Sequence, residues 1–368
     1  MLLSDICEII MGQSPSSDSY NVKGQGLPFF QGNADFGKLY PSVRLWCNCP
    51  IKKAEAGDLL VSVRAPIGAV NLANQKCCIG RGLAALRPYR DKCDAMYLYY
   101  LIKAGKNKLN WLGTGSTFKA ITRSSLLSFN VPDYCIALQR KISGKLWSVD
   151  KLIHQRNEQL KLFDLLIQSR FLEMFGDIQH NSCKWDIEPL SAVCHKITDG
   201  EHGSVQRVSE GYVYLNAKNI RQDGNIDWEN ITHISFKDHA KIFKRCNPEP
   251  DDILLTTTGT VGNIAIVPKV GPFSIDRGIT LLKINNDRLN NIYLANLLNS
   301  EYLQQCMKNN IHASAIGHLF LKQVKSLSVM LPPLHLQNQF ADYVVHIDKS
   351  KYRGTISLHL LEDVSHML

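Results

Sequence analysis

Few residues in this chain are spaced for bond-making chemistry. The glycine pairs Gly24-Gln25-Gly26 and Gly113-Thr114-Gly115 lack the other positions of a nucleotide-binding fingerprint, and no GxxxxGK[ST] phosphate loop occurs. Asn247-Pro248-Glu249-Pro250 resembles an amino-methyltransferase motif but has no aromatic residue after its prolines, so we interpret it as a turn. Three histidines near predicted loops have no ligand spacing to another His or Cys: His195, His202 and His318. The sequence therefore predicts no catalytic residue and no metal ligand.

The charge of the chain favours a polyanionic partner. It has 42 Lys and Arg against 33 Asp and Glu, a net charge of +9 and a pI near 8.9. If that partner is a nucleic acid, Lys and Arg would neutralise phosphates, and polar side chains on loops would reach base edges in the major groove. The candidates for such contacts lie in turn-rich stretches: Gln13, Ser14, Ser16, Gln31, Asn33, Arg64, Arg81, Thr117, Lys119, His202, Asn216, Lys218, Asn219, Arg221, Thr257, Thr258, Arg277, Ser314 and His318. For any single candidate the alternative is solvation or turn formation.

Two of these candidates occupy equivalent places, because the chain repeats itself. Asp58-Leu59-Leu60-Val61-Ser62 returns as Asp252-Ile253-Leu254-Leu255-Thr256, and Ile79-Gly80-Arg81-Gly82-Leu83 as Ile275-Asp276-Arg277-Gly278-Ile279. The offset is far larger than the roughly 20–50 residues of a solenoid repeat, so the repeated unit is a domain. Arg81 and Arg277 each precede a glycine, which indicates either DNA contact or an internal ion pair that holds the loops.

Each half has the same predicted order of elements. Branched residues between turn formers predict four strands, at 59–63, 83–86, 253–258 and 279–284. Short helices are predicted at 95–104 and 292–307, and strands that end in proline at 127–132 and 327–332. After each proline the periodicity changes to that of a helix.

The long helix predicted at the end of each half carries a heptad seam, with apolar residues alternately three and four positions apart. At roughly 35–40 residues each helix would be about 50–60 Å long, which favours a spacer over an ordinary core helix. The residues predicted to pack the helices on each other are Ile142, Leu146, Val149, Ile153, Leu160, Phe163, Phe340, Val344, Ile347, Leu358 and Leu361. Lys351 and Gly354 also fall on the second seam and weaken its centre.

The remaining composition sets limits on location. The eleven cysteines are scattered, without a CxxC pair, and predict reduced thiols of a cytoplasmic protein. The first fifteen residues lack the basic region of a signal peptide, and no apolar run approaches the roughly 20 residues of a membrane span. We therefore expect no membrane association.

The layout resembles the DNA-specificity subunit of type I restriction-modification enzymes over essentially the whole chain. The resemblance rests on the order of five motifs, on their duplication and on the two long helices. The motifs are Gly12-Gln13-Ser14-Pro15-Ser16, residues 57–68 (GDLLVSVRAPIG), residues 79–83 (IGRGL), residues 115–121 (GSTFKAI) and residues 331–337 (LPPLHLQ).

The resemblance implies an α+β fold with a pseudo-two-fold internal repeat. Two mixed α/β target-recognition domains, residues 1–133 and 179–333, would each precede a long helix, residues 134–178 and 334–368. The helices would pack as an antiparallel coiled coil.

The same resemblance implies a non-catalytic subunit that reads an asymmetric two-part site in double-stranded DNA. Two modification (methyltransferase) subunits and restriction subunits would be its partners. S-adenosylmethionine, ATP and Mg²⁺ would be bound by those partners, with no cofactor in this chain. The alternative is a self-contained DNA methyltransferase or nuclease with paired lobes, against which the missing cofactor motifs argue.

Overall fold

The chain folds into two compact units. The structure, a computed structural model, describes residues 1–113, 119–311 and 317–367, with side chains up to residue 361. The candidates Thr117 and Ser314 therefore lie outside the described residues. Unit 1 comprises Met1–Arg156 and Leu358–Leu368, and unit 2 comprises Asn157–Ser357.

Unit 1 contains two β-sheets and a set of helices. Its described strands are β1 (Cys7–Met11), β2 (Tyr20–Asn21), β3 (Leu27–Phe30), β4 (Leu45–Cys47), β5 (Lys53–Ala54), β6 (Leu59–Ser62), β7 (Val70–Leu72), β8 (Cys77–Ile79) and β9 (Leu83–Pro88). Its described helices are α1 (Leu3–Ile6), α2 (Ala95–Ala104), α3 (Lys106–Leu112), α4 (Arg123–Leu127) and the start of α5 (Ile136–Phe175).

Strand β6 begins with three apolar residues because it is buried on both faces. Leu59 and Val61 pack in the cluster that contains the aromatic residues of α2, while Leu60 packs in the cluster of Phe30 and Ile79. The sheet order β1-β9-β6-β7 is antiparallel. The second sheet has the order β2-β4-β3-β8-β5, with β3 and β8 parallel.

Unit 2 repeats this plan. Its described strands are β10 (Asp186–Pro189), β11 (Cys194–Asp199), β12 (Arg207–Val208), β13 (Tyr212–Leu215), β14 (Thr232–Ile234), β15 (Ile253–Thr256), β16 (Ile264–Ile266), β17 (Ser274–Ile275), β18 (Ile279–Ile284) and β19 (Ser328–Leu331). Its described helices are α6 (Leu190–Val193), α7 (Phe236–Arg245), α8 (Asn291–Leu298), α9 (Glu301–Asn309), α10 (Leu321–Lys325) and most of α11 (Leu334–Met367).

The sheets of unit 2 have the orders β11-β18-β15-β16 and β12-β14-β13-β17, and β10 pairs with β19. Strands β13 and β17 are parallel, like β3 and β8. β15 is again buried on both faces, with Leu255 in one cluster and Leu254 in another. The duplication seen in the sequence is thus a duplication of sheet topology.

Most predicted elements are confirmed, with two corrections. The helix predicted at 292–307 is two helices, α8 and α9, because Ser300 caps a new helix by accepting from the Leu303 N–H. The strand predicted at 127–132 is reduced to one bridge, between Leu2 and Asn130, where unit 2 has the full β10–β19 pair.

A buried glutamine fixes each long helix to its own unit. In unit 1, Gln139 is 2% exposed; its Oε1 accepts from the Asp94 N–H at 3.0 Å and its Nε2 donates to the Lys92 carbonyl at 2.9 Å. Asp94 is in turn the N-cap of α2. The orientation of the long helix is therefore coupled to the short helix on the sheet.

Unit 2 uses Gln337 in the same way. This residue is 0% exposed, accepts from the Asn290 N–H at 2.9 Å and donates to the Pro332 carbonyl at 2.8 Å. Asn290 caps α8.

Within unit 2, α5 and α11 run antiparallel. The ring of Phe171 lies 5.3 Å from that of Phe340, and Lys351 Nζ donates to Asp164 Oδ1 at 2.7 Å. Residue numbers fall along α5 as they rise along α11 in these two contacts, which is the pattern of antiparallel helices.

The residues predicted to form the seam are all at least half-buried. Leu146, Phe340, Val344 and Leu358 are buried, and Ile142, Val149, Ile153, Leu160, Phe163, Ile347 and Leu361 are half-buried.

Several other properties concern the described part of the chain only. No helix there is long and apolar enough to cross a membrane. Among the same residues, no group of three or more His, Cys, Asp or Glu side chains is arranged so that it could hold a metal ion. The eleven cysteines are free thiols. Burial raises the pKa of the Cys7, Cys77 and Cys93 thiols to about 12.

Candidate nucleic-acid interface

Backbone hydrogen bonds join separate loops at one edge of unit 1. The Gly82 N–H donates to the Gln31 carbonyl at 3.2 Å, and the Gly82 carbonyl accepts from the Val63 N–H at 2.9 Å. The Val63 carbonyl accepts in turn from the Ile121 N–H at 2.8 Å. The loops that follow β3 and β6, and the segment before α4, are therefore neighbours, although they are far apart in sequence.

The loop after β1 completes this edge. The Gln13 N–H donates to the Ile79 carbonyl at 3.0 Å, and Ser14 Oγ accepts from the Arg81 N–H at 3.1 Å. The close approach requires glycine, since a Cβ on Gly82 would lie 2.4 Å from the Gln31 oxygen. We call this surface the loop edge of unit 1; it is formed by residues 12–16, 31–33, 63–64, 80–82 and 119–121.

Unit 2 has the same connections. The Gly278 carbonyl accepts from the Thr257 N–H at 2.8 Å, and the Thr257 carbonyl accepts from the Leu319 N–H at 2.9 Å. The Glu201 N–H donates to the Ile275 carbonyl at 3.0 Å, as the Gln13 N–H does to the Ile79 carbonyl in unit 1. The loop edge of unit 2 is formed by residues 200–203, 216–219, 257–258, 276–278 and 317–319.

The loop edge of unit 1 presents polar and cationic side chains. Ser14 and Asn33 are half-buried, and the other described candidates of this unit are exposed: Gln13, Ser16, Gln31, Arg64, Arg81 and Lys119. Among the described residues, no carboxylate forms an ion pair with Arg64, Arg81 or Lys119. These three cations are therefore available to a phosphate or a base.

The loop edge of unit 2 has a different set of side chains. Lys218 and Arg277 are exposed, and neither is ion-paired within the described ranges. Internal ion pairs were the alternative role for Arg81 and Arg277. The described residues contain no such pair for either arginine. Half-buried Thr258 lies next to half-buried His318, and Asn216 caps a short helix by accepting from the Lys218 N–H at 3.0 Å.

Two candidates of unit 2 lie beside carboxylates, and for Arg221 the contact is an ion pair. His202 Nε2 is 3.7 Å from Asp199 Oδ2, and Arg221 Nη2 is 3.3 Å from Asp227 Oδ2. Both side chains are exposed, so these contacts constrain their position and leave them accessible.

Two of the predicted DNA contacts, Asn219 and Thr257, have buried side chains. Asn219 is 2% exposed; its Oδ1 accepts from the Asn216 N–H at 2.9 Å and its Nδ2 donates to the Asn230 carbonyl at 3.0 Å. Thr257 is 1% exposed, and its backbone joins the loops on both sides. These residues hold the loop edge together and do not form its surface.

One group of exposed cations was missed by the sequence analysis. Lys237, Lys241 and Lys244 are exposed on α7 and recur at i, i+4 and i+7. This spacing was visible in the sequence, but the segment Phe236–Arg245 lies outside the duplicated motifs that directed the search.

The titration of one loop-edge carboxyl is perturbed. Burial raises the pKa of Asp276, while the Gly278 N–H, which donates to Asp276 Oδ1 at 2.9 Å, and the nearby Arg207 and Arg277 act in the opposite direction. The carboxyl thus holds the turn that carries Arg277.

The two loop edges define a protein with two similar polar recognition surfaces. Comparison with known proteins agrees: residues 1–162 and 199–355 match the family described as "Type I restriction modification DNA specificity domain". The chain therefore belongs to this family, and the predicted resemblance is confirmed.

Individual relatives match parts of the chain. It is 44% identical over 152 residues to the putative type I restriction enzyme MjaX specificity subunit of Methanocaldococcus jannaschii, which is 41% of this chain and 36% of that protein. It is 26% identical over 188 residues to the type I restriction enzyme MjaIX specificity subunit of the same organism, 48% of this chain and 43% of that protein. The matched part is thus less than half of either relative.

Two solved structures are also similar. The type I restriction-modification system S subunit from M. genitalium has 16% identity and a TM-score of 0.63, and the match covers 100% of this chain and 93% of that one. This likeness shows a shared fold. The HsdS subunit from Thermoanaerobacter tengcongensis is 46% identical over 41% of this chain and 37% of its own, with a TM-score of 0.38.

Proposed function

We propose that this chain is a sequence-specific DNA-binding subunit that reads an asymmetric site in two parts, one part with each unit. The observation that carries the proposal is the recurrence of one hydrogen-bonded loop edge with different side chains on it. Arg64 and Ala120 occupy in unit 1 the places of Thr258 and His318 in unit 2, as the two isolated bridges between them indicate. Two domains with the same backbone arrangement but different hydrogen-bond donors and acceptors on their loops bind different base sequences.

The chain contributes no bond chemistry under this proposal. Methylation and cleavage would be carried out by two modification subunits and by restriction subunits, which would bind S-adenosylmethionine, ATP and Mg²⁺. An enzyme that methylates a base must first take it out of the stack, so the modification subunits need duplex DNA held beside them.

The long helices offer a surface for those partners. Along the part of α5 in unit 2, Leu162, Leu165, Leu166 and Leu172 are between 46% and 58% exposed. Such a row of large apolar side chains favours contact with another protein. We propose that the modification subunits dock there.

The helices would also set the distance between the half-sites. We propose that α5 and α11 pack along their seams as an antiparallel coiled coil in a molecule with pseudo-two-fold symmetry. The recognition domains would be residues 1–133 and 179–333, and the spacers residues 134–178 and 334–368. Antiparallel contacts such as Phe171 to Phe340 support this arrangement. Half-sites about one helical turn apart would lie on one face of the duplex.

Gel shifts with genomic fragments and a salt titration test the proposal directly. The purified chain should retard DNA, with an affinity that falls as salt rises. Absence of DNA binding, by the chain alone and in complex with a modification subunit, would reject it. Methylation by the purified chain with S-adenosylmethionine would instead support the self-contained enzyme.

A further inference from the structure

Helix α7 is an amphipathic element that the duplicated frame does not explain. Its inner face is buried: Ile242 is 1% exposed and His239 is 6% exposed, with His239 Nδ1 2.9 Å from Ser274 Oγ. Its outer face carries three exposed lysines: Lys237, Lys241 and Lys244.

The three lysines form one stripe. Residues four and seven positions apart lie on the same side of a helix, and a rise of about 1.5 Å per residue places Lys237 and Lys244 about 10 Å apart along its axis. None of the three is ion-paired among the residues that the structure describes. The acidic residue of this helix, Asp238, accepts a hydrogen bond from Ser235 Oγ at 3.0 Å at the N-cap. The positive charge of the stripe is therefore not compensated within unit 2.

The C-terminal end of α7 is attached to the loop edge of unit 2, and His239 in its first half is attached to a neighbouring strand. At its C-terminus, the Arg245 guanidinium donates to the Gly200 carbonyl and, at 3.3 Å, to Thr198 Oγ1. Ser274, the partner of His239, lies in β17, which leads directly into Arg277. The stripe thus lies on a helix that is hydrogen-bonded to the loop edge through Arg245.

Unit 1 has no equivalent helix in its described residues. There, β4 is followed within a few residues by β5, whereas in unit 2 the segment from β14 to β15 contains the ten residues of α7. The stripe is a property of one unit, and the two units should differ in how they hold DNA.

We propose that α7 binds the phosphate backbone beside the second half-site and adds affinity without reading bases. This inference rests on the proposed DNA-binding function. A lysine ammonium is a compact point charge that neutralises phosphates, and a row of them on a helix face follows a strand of phosphates. The uncompensated charge and the attachment of α7 to the loop edge favour DNA over an acidic protein surface.

The test replaces all three lysines by glutamine in the full chain. Because each phosphate contact contributes about 0.9 to the slope of log affinity against log salt, the triple variant should lose about 2 to 3 from that slope. The loss should be equal for a duplex that contains the recognition site and for a random-sequence duplex, so their affinity ratio stays constant. Replacement by arginine should preserve the slope.

A matched control removes the same charge elsewhere in unit 2. Lys184, Lys325 and Lys349 are exposed outside α7, and their replacement by glutamine should leave the slope close to wild type. Thermal unfolding of each variant should show that the fold is retained, because all six side chains are exposed.

The other outcomes separate the two proposals. If wild type binds DNA and the α7 variant keeps its slope, the phosphate role is refuted and DNA recognition is unaffected. If the variant keeps its slope but loses binding to a modification subunit, α7 is a protein-docking surface. If wild type fails to bind any duplex, the proposed function falls, and the α7 proposal with it.

Discussion

Thr258 Oγ1 lies 2.7 Å from His318 Nδ1 at the loop edge of unit 2. The ring of His318 also contacts that of Phe320, with centroids 4.7 Å apart at 84°. The corresponding places in unit 1 are Arg64 and Ala120. An imidazole held by a hydroxyl in one unit and a guanidinium without an ion pair among the described residues in the other present different hydrogen-bonding groups. Under the proposed function, this difference would make the two half-sites different.

Replacing Thr258 by valine should relax the preference of the second half-site and leave the first unchanged. The substitution removes the hydroxyl that orients His318, and one good base contact contributes about 1–3 kcal/mol of discrimination. Selection of bound duplexes from a random pool measures both half-sites at once. The matched variant, Arg64→Met, should alter the first half-site alone. Equal effects on both halves would contradict separate reading.

Replacing Arg81 or Arg277 by alanine should weaken DNA binding without unfolding the protein. Both side chains are exposed and lack ion pairs among the described residues, so the free energy of unfolding should change by less than about 0.5 kcal/mol. Loss of a phosphate or guanine contact should cost about 1–3 kcal/mol of binding. Urea unfolding and gel shifts test these two expectations. A large loss of stability would assign these arginines to the fold.

Replacing Gln337 by leucine should destabilise unit 2. The substitution nearly preserves volume but leaves the half-buried Asn290 N–H and the buried Pro332 carbonyl without the partner they have now, at about 1–3 kcal/mol for the buried carbonyl. The midpoint of urea unfolding should fall accordingly. Exposed Gln305 is the control, since Gln305→Leu should change stability by less than about 0.5 kcal/mol. Equal midpoints for the two variants would show that Gln337 does not hold the helix.

Acid should destabilise unit 2 through Asp227. Hydrogen bonds, first from the Asn230 side chain and then from the Glu229 N–H, lower the pKa of this carboxyl to about 2, and Arg221 contributes. Because the folded pKa lies below the unfolded value of about 3.9, the stabilisation is complete above about pH 4 and is lost as the pH falls towards 2. Urea midpoints from pH 5 to 2 should fall less steeply for Asp227→Asn than for wild type. Parallel curves would contradict this assignment.

Adding one helical turn to both α5 and α11 should change the gap between half-sites and preserve the half-sites themselves. The extra turn lengthens each helix by about 5.4 Å, and the loop edges are untouched. Sequencing of methylated sites in cells that also contain the modification subunits measures the gap. An unchanged gap would reject the role of the helices as spacers.

The sequence was sufficient for features that depend on local patterns. Branched runs bounded by turn residues located β18, and the periodicity of apolar residues located α2 and the two long helices. The duplication was visible because the copies keep similar residues at equivalent places, such as the glycines at 82 and 278, of which Gly82 lies where two loops meet closely. The net charge of the chain and the cations in its turn-rich stretches indicated a polyanionic partner from the sequence alone.

Tertiary structure alone decided which loops share an edge and which polar residues face outward. Asn219 and Thr257 belong to the same types as exposed candidates, but both are buried: the Asn219 side chain bonds to the Asn230 carbonyl, and the Thr257 backbone bonds to Gly278 and Leu319. Gln139 and Gln337 are ordinary polar residues in sequence, and their role depends on the backbone N–H groups of Asp94 and Asn290, which are 45 and 47 residues away along the chain yet adjacent in space. Such contacts have no period, because they are set by the packing of loops and not by the geometry of one helix or strand.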